Sequence, residues 1–410
     1  MARKARAASF ELAVVSAKDK NHALSVMAKA LVAQASFIIR ENRKDLEAAR
    51  REGLSSAMVD RLKLDEKRVA DMAQSLVETA KLKDPVGEII SAFKRPNGLL
   101  IKKVRVPIGV IGIVYESRPN VTSDCIALCL KSGNAVILKG GREAIFSNKA
   151  IFTVLRKALA ETHVPANAIQ LVDSIDRKAV EILLSLVDLV DLIVPRGGEG
   201  LIRFVAEHSR IPVIKHYKGV CHTYVSGHAD LEKARKICCN AKVQRPGVCN
   251  AMETMLVDKK IAKAFLPVML SELMQSGVQI RGCDRTRAIV KENVRKATEQ
   301  DWKEEYLDLI LAVRVVDDVE QAIDHINTYG TKHSDTIVTE NKKEAEEFLT
   351  KVDAACVYVN ASTRFTDGFQ FGFGAEVGIS TDKIHARGPM ALAELTTYKY
   401  LIYGQGQVRY

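Results

Sequence analysis

Apolar residues recur along this chain in two rhythms, and the change from one to the other divides it. Between residues 22 and 80, Ala23, Met27, Leu31, Ala35 and Ile38 return at three- and four-residue steps among charges, which predicts a helical N-terminal layer. Two β-like stretches follow, 89–93 and 99–104, on either side of Pro96-Asn97-Gly98. Asn-Gly supplies the positive φ angles of a tight turn, so 87–106 is expected to form a β-hairpin, serving either as an oligomer contact or as an internal meander. From Pro107 onward short apolar runs alternate with helical stretches, the pattern of a parallel sheet with crossover helices. Strands are expected over 109–114, 135–138, 169–172, 189–194 and 212–214, with helices over 147–162 and 198–208. A second unit then opens with a strand at 223–225, a helix at 231–240, a loop carrying Cys249 and a strand at 254–257. The tail 396–403, rich in Thr, Tyr, Leu and Ile, reads as a last strand able to pair with the hairpin.

The fold expected is therefore α/β, a doubly wound nucleotide-type domain followed by a second α/β domain, with a hairpin arm. Its boundaries fall at 1–221, 222–380 and 381–410, and 410 residues suit two or three domains. Composition narrows the class further. Charges of both signs are mixed throughout, against a disordered or fibrous chain. The apolar runs at 104–115 and 182–194 are too short or too interrupted by Pro, Gly and Asp to span a membrane, and no signal-peptide core follows the basic start. A soluble cytoplasmic protein with no membrane partner is expected. Eight cysteines without a CxxC pair point to reduced thiols and to no metal site. The net charge of +11 is dispersed and lacks a basic run with interleaved aromatics, so it argues for anionic ligands and against a nucleic-acid partner.

Three segments could carry chemistry. Gln244-Arg245-Pro246-Gly247-Val248-Cys249-Asn250 puts one thiol in a turn between a helix and a strand, where backbone N–H groups could lower its pKa and hold an oxyanion. Cys125, Cys129, Cys238, Cys239 and Cys356 read instead as core. Lys139-Gly140-Gly141-Arg142 closes a buried strand at the edge where doubly wound sheets bind ligands. Gly197 and Gly198 repeat the theme at a later strand end, opening a helix whose first amides favour phosphate. No GxGxxG is present, yet two glycine turns on one sheet edge favour a dinucleotide over plain tight turns.

Together these segments resemble the aldehyde dehydrogenase superfamily and, within it, the γ-glutamyl phosphate reductase (glutamate-5-semialdehyde dehydrogenase) family, over essentially the whole chain. The resemblance rests on Val106-Pro107-Ile108-Gly109-Val110 leading to Glu116-Ser117-Arg118-Pro119-Asn120-Val121-Thr122, on Leu138-Lys139-Gly140-Gly141, and on Pro246 through Thr254 around Cys249. His333-Ser334-Asp335, Asn360-Ala361-Ser362-Thr363-Arg364-Phe365, and the run from Phe371 to Thr381 extend it.

It implies NADPH-dependent reduction of L-glutamyl 5-phosphate to L-glutamate 5-semialdehyde and phosphate, in proline biosynthesis, through a thioester on Cys249. By the same resemblance Lys139 contacts the cofactor ribose and Glu305 lies near the nicotinamide ribose. Arg142 stands where NAD-using relatives carry a glutamate, which suits the 2′-phosphate of NADP. His216 falls where hydrolytic relatives keep a general-base glutamate, as expected if phosphate rather than water resolves the thioester. Asn120 is the oxyanion donor of choice, with Arg118 the alternative or a binder of the acyl phosphate. Ser362, Thr363 and Arg364 are candidates for the substrate α-carboxylate. The hairpin and the C-terminal strand suit a homo-oligomer, and a separate glutamate kinase is expected as the supplier and a candidate partner. The rival readings are a coenzyme A-acylating aldehyde dehydrogenase and, from another class, a basic nucleic-acid-binding protein.

Overall fold

The computed structural model describes residues 1–215 and 217–409. They resolve into two compact units, one formed by Met1–Lys215, Gly372–Gly378 and Met390–Tyr410, the other by His216–Phe371 and Ile379–Pro389.

The first unit opens with five helices, α1 (Ala2–Leu12), α2 (Ala17–Ala33), α3 (Ala35–Arg51), α4 (Ser56–Leu62) and α5 (Glu66–Lys81). Local chemistry sets their starts. Ser16 accepts the N–H of Asp19 ahead of α2, and Asp65 that of Arg68 ahead of α5, each satisfying an amide that the helix itself leaves unpaired. The periodicity from residue 23 is realised: Ala23, Met27 and Leu31 share the buried face of α2. Helix α1 was not expected from the basic start. It forms because Ala5, Ala8 and Leu12 give it a small apolar stripe, while Arg6 pairs with Asp191 at 2.8 Å.

The hairpin strands β1 (Ile89–Lys94) and β2 (Leu100–Pro107) come next, and then the sheet: β3 (Val110–Tyr115), α6 (Asn120–Lys131), β4 (Ala135–Gly140), α7 (Ile145–Leu159), β5 (Ile169–Leu171), α8 (Lys178–Ser185), β6 (Leu192–Arg196) and α9 (Glu199–His208). The strands lie in the order β5-β4-β3-β6, all parallel. Every residue of β3 and β4 is buried, as a sheet covered on both faces requires. Two expectations need correction here. The segment 189–194 is extended only from Leu192, because the amides of Leu189 and Val190 turn back onto the Leu186 carbonyl. The run 212–214 makes one isolated bridge, Val213 to Ile193, and no strand.

The second unit runs β7 (Cys221–Val225), α10 (Leu231–Val243), β8 (Met252–Asp258), α11 (Lys259–Gln275), β9 (Gln279–Gly282), α12 (Asp284–Ile289), β10 (Val294–Lys296), β11 (Ile310–Val316), α13 (Val319–Tyr329), β12 (Ser334–Val338), α14 (Lys342–Lys351) and β13 (Cys356–Val359), with a short antiparallel pair β14 (Ile379–Ser380) and β15 (Gly388–Pro389). Its main sheet is parallel, in the order β10-β9-β11-β8-β7-β12-β13. On one face α10 and α11 press Cys238, Phe265, Met269 and Leu273 onto Met255, Val257 and Val313.

The tail strand β16 (Thr396–Tyr403) pairs antiparallel with β2 along its whole length and completes a three-stranded sheet in the first unit. The hairpin turn is wider than Asn97-Gly98 alone: the Gly98 amide bonds the Arg95 carbonyl, the Arg95 amide bonds that of Leu99, and Gly98 takes φ 89°. No single helix among the described residues is long and apolar enough to cross a membrane.

Asn134 joins the sheet to the returning tail. Its Oδ1 accepts the Gly109 amide at 2.8 Å, and its Nδ2 donates to the Leu395 carbonyl at 2.7 Å and to Ser132 Oγ at 2.8 Å, the latter two away from water. Asn134→Ala would strand these buried groups and is expected to cost about 2 kcal/mol or more, measured as a lowered denaturant midpoint with unchanged slope.

Candidate active site

Helix α10 stops because Pro246 cannot continue it, and the chain turns through Gly247 to Asn250 before β8 begins. Cys249 sits in this turn, half-buried. The other cysteines differ in kind. Burial raises the thiols of Cys129, Cys221 and Cys238 and pushes Cys125 up to about 12, so these resist ionisation at neutral pH. Burial also raises Cys239, while Cys283 caps α12 by accepting the Thr286 amide.

The turn is held from three sides. From the segment before β7, Gly219 lies so close that a Cβ on it would fall 1.8 Å from the Cys249 carbonyl oxygen. From β7 itself, Cys221 Sγ donates to that same oxygen at 3.2 Å. From the segment after β13, Thr363 Oγ1 donates to the Asn250 carbonyl at 2.7 Å, and Asn250 Nδ2 donates to the Thr366 carbonyl at 2.9 Å. Arg364 adds its guanidinium, with Nη1 on Asn250 Oδ1 and Nε on Gln244 Oε1 at 2.9 Å. Burial and the charge of Arg245 hold Arg364 below the ordinary guanidinium range, and the neighbouring Cys249 acts the other way. Ser362 accepts the Arg364 amide and so shapes the short turn that presents both residues. Behind them, hydroxyls link His333 Nδ1 to Ser334 Oγ, Thr366 Oγ1 and Tyr358 OH in steps of 2.8, 2.6 and 2.7 Å.

Glu305 joins this constellation through the backbone: its Oε1 accepts the Gly219 amide at 2.8 Å. The second unit thus brings Cys249, Glu305, Ser362, Thr363 and Arg364 around one turn. His216 lies outside the described residues.

In the first unit, Lys139, the penultimate residue of β4, is almost wholly buried, its Nζ donating to the Gly140 carbonyl at 2.9 Å. Burial lowers its pKa, partly offset by Glu143. A Cβ on Gly140 would meet Asn148 Nδ2 at 2.2 Å and crowd the Tyr115 ring at 3.1 Å, and one on Gly141 would displace the Glu143 carboxylate, 2.2 Å away. Arg142 reaches Glu52 at 3.1 Å across a cleft of about 600 Å³ that also contains Phe146, Lys149, Asp173 and Ile175. Lys149 is paired there with Asp173 at 3.4 Å. At the end of β6, the Gly198 amide donates to Glu116 Oε2 at 2.8 Å, so a carboxylate already meets the start of α9. In the loop from β3 to α6, Arg118 is exposed, and Asn120 Nδ2 donates to Asp124 at 2.9 Å. Ser117, at φ 49°, fixes this loop by donating its N–H and hydroxyl to Glu143.

Sequence reasoning missed Gly219, Cys221, Glu116 and Glu143. Nothing in their spacing relates them to Cys249 or to the glycine turns; each is defined by an approach between segments far apart in the chain.

One parallel α/β unit that presents a thiol and a second parallel unit whose strands end in glycine turns are the two parts of an aldehyde dehydrogenase fold. The sequence profile of the aldehyde dehydrogenase family matches residues 1–287 and 286–400. The chain is 57% identical over 406 residues to a γ-glutamyl phosphate reductase of Moorella thermoacetica, covering 99% of this chain and 97% of that one. The crystal structure of a γ-glutamyl phosphate reductase from Thermotoga maritima superposes with a TM-score of 0.98 at 50% identity, covering 100% of this chain and 99% of that one. An acetylating aldehyde dehydrogenase from Geobacillus thermoglucosidasius, 17% identical with a TM-score of 0.68 over 100% of this chain and 96% of that one, shares the fold. This chain belongs to the aldehyde dehydrogenase family and, within it, to the γ-glutamyl phosphate reductases.

The Gly219 contact generates a prediction independent of turnover. Gly219→Ala must push the Cys249 backbone from its bed, so alkylation of Cys249 by iodoacetamide, followed by mass spectrometry, is expected to change by about fivefold or more, with a stability loss of about 1–3 kcal/mol. An unchanged alkylation rate would show that the close approach does not fix the turn.

Proposed function

We propose that the protein reduces L-glutamyl 5-phosphate to L-glutamate 5-semialdehyde with NADPH, releasing phosphate, as a step of proline biosynthesis in the cytoplasm. The observation that carries this reading is the presentation of Cys249: a half-buried thiol on a turn braced by Gly219, Cys221, Thr363 and Arg364, in a chain that matches named γ-glutamyl phosphate reductases from end to end.

The Cys249 thiolate attacks the acyl carbon, and the C–O bond to phosphate breaks to leave a thioester on Sγ. A bound reduced nicotinamide would supply hydride to the thioester carbon; the C–S bond then opens, releasing the aldehyde and restoring the Cys249 thiolate. Asn120 is assigned the oxyanion and Arg118 the phosphate of the substrate. Ser362, Thr363 and Arg364 are assigned the α-carboxylate, the guanidinium supplying a charge-assisted contact.

Several features of the first unit fit a dinucleotide. Lys139, Gly140 and Gly141 stand at the carboxyl end of a central strand, where parallel sheets take nucleotides, and Gly197 and Gly198 form the turn at a second strand end. Arg142 and Lys149 bring two cations to a cleft with the apolar walls Phe146 and Ile175, which suits an adenosine bearing a 2′-phosphate better than a bare ribose. Glu305 is assigned the nicotinamide ribose.

The acyl phosphate must come from a kinase acting on the side-chain carboxylate of glutamate, which is a candidate partner. The exposed Ile89, Phe93, Tyr400 and Ile402 of the three-stranded arm suit contact with a second copy of the chain.

Two experiments test the reading. Run in reverse, with glutamate 5-semialdehyde and NADP followed by absorbance, turnover is expected to require phosphate and to vanish in Cys249→Ser. Turnover without phosphate would mean hydrolysis, and turnover only with coenzyme A would move the protein to the acylating dehydrogenases. For the cofactor, Arg142→Glu is expected to lower kcat/KM for NADP by about tenfold or more while leaving NAD little affected. An equal loss with both cofactors would remove Arg142 from the 2′-phosphate site.

A further inference from the structure

Two charged side chains that this chemistry leaves unused stand at the two ends of the nucleophile loop. Lys242, in the last turn of α10, and Glu253, the second residue of β8, are both fully buried, and Lys242 Nζ lies 2.5 Å from Glu253 Oε2. The loop carrying Cys249 leaves and returns between them. The second carboxylate oxygen, Oε1, accepts the amide of Leu307 at 3.1 Å. Leu307 has φ 53°, in the left-handed region that a non-glycine residue seldom occupies without being held there. Two residues earlier, Glu305 accepts the Gly219 amide, and Gly219 lies against the Cys249 carbonyl. The contacts form a closed ring, from Cys249 through Gly219, Glu305, Leu307 and Glu253 back along the chain to Cys249.

We propose that the Lys242–Glu253 pair is a positioning device, which fixes the 305–307 turn through the Leu307 amide and so holds the Glu305 carboxylate in register with the loop that carries Cys249. This rests on the assignment of Cys249 as nucleophile and Glu305 as a cofactor contact.

A stability role alone does not account for the pair. Taking two charges out of water opposes their attraction, and well-packed apolar side chains often replace a buried ion pair at no loss of stability. Burial drives Lys242 down and Glu253 up, the direction expected of charges kept from water. What an apolar replacement cannot supply is an acceptor for the strained Leu307 amide. Tyr306 is a further anchor of the same turn, its hydroxyl donating to Asp301 Oδ1 at 2.8 Å. Tyr306 ties the turn to Asp301, whereas Glu253 ties it to the strand leaving the nucleophile loop.

The test compares two double variants. K242M/E253Q removes both charges and keeps an acceptor for Leu307; K242M/E253L removes the acceptor as well. The first is expected to retain most of the reverse turnover with NADP, together with wild-type hydrogen exchange at the amides of Leu307 and Gly219. The second is expected to stay folded, to lose about tenfold or more in kcat, and to exchange faster at both amides. Equal turnover and equal exchange in the two would overturn the proposal and leave the pair as packing. Lost turnover with unchanged exchange would overturn it too. Should K242M/E253L fail to fold, E253Q alone decides: faster exchange at Leu307 despite the retained acceptor overturns the proposal, and wild-type exchange supports it. A wild-type enzyme that reduces no NADP would sink the functional reading instead, while the exchange comparison, which needs no turnover, still decides this one.

Discussion

A backbone can approach another closely only where one of the two lacks a side chain, and the second unit is organised around such a place. The space that any Cβ at Gly219 would need is filled by the carbonyl of Cys249. Once the two segments touch, their remaining polar groups have few directions left. The Gly219 amide turns to Glu305, the Cys249 carbonyl takes the Cys221 thiol, and Asn250 is left to bond the segment 363–366. Each of these bonds is ordinary in strength. Together they convert a loop, usually the most mobile part of an α/β unit, into a fixed platform for a thiol.

The first unit uses carboxylates where the second uses backbone contact. Glu116 meets the amide at the start of α9, Glu143 meets the Ser117 amide, and Glu52 meets Arg142. All three carboxylates occupy donors or cations at the sheet edge that would suit phosphate oxygens. The cofactor phosphates proposed for this edge would exchange one set of charge-assisted bonds for another instead of filling bare positive charge. Such an exchange would temper affinity, and the carboxylates keep the edge paired without a ligand.

Much of this was legible in the sequence because it follows from period and punctuation. The all-apolar runs of β3 and β4, the stripe of α2 and the Pro246-Gly247 turn each have a local cause. The pairing of β16 with β2 was readable from composition, since Thr396 to Tyr403 is rich in β-formers and the hairpin left an edge open. The failures are equally physical. Helix α1 hides its stripe in alanines, which carry little hydrophobic signal, and takes its anchor from Asp191, far along the chain. Val213 makes a single bridge because Pro212 beside it has no N–H for a ladder. At the site, residue types pointed to Cys249 and to the Gly140-Gly141 turn. The brace from Gly219, the ring through Leu307 and the carboxylates at the sheet edge depend on approaches that no spacing rule encodes.

Asn134 and strand β16 carry a consequence for how the chain reaches this structure. The first unit is interrupted: its parallel sheet is complete by residue 196, yet the third strand of its arm and the carbonyl that Asn134 bonds arrive only after the whole second unit has been made. On a ribosome, where synthesis proceeds at about 5–20 residues per second, the second unit is thus available to fold while the first still lacks its closing strand. For that interval β2 keeps one unpaired edge, the kind of surface on which two nascent chains can find each other before either finds its own tail.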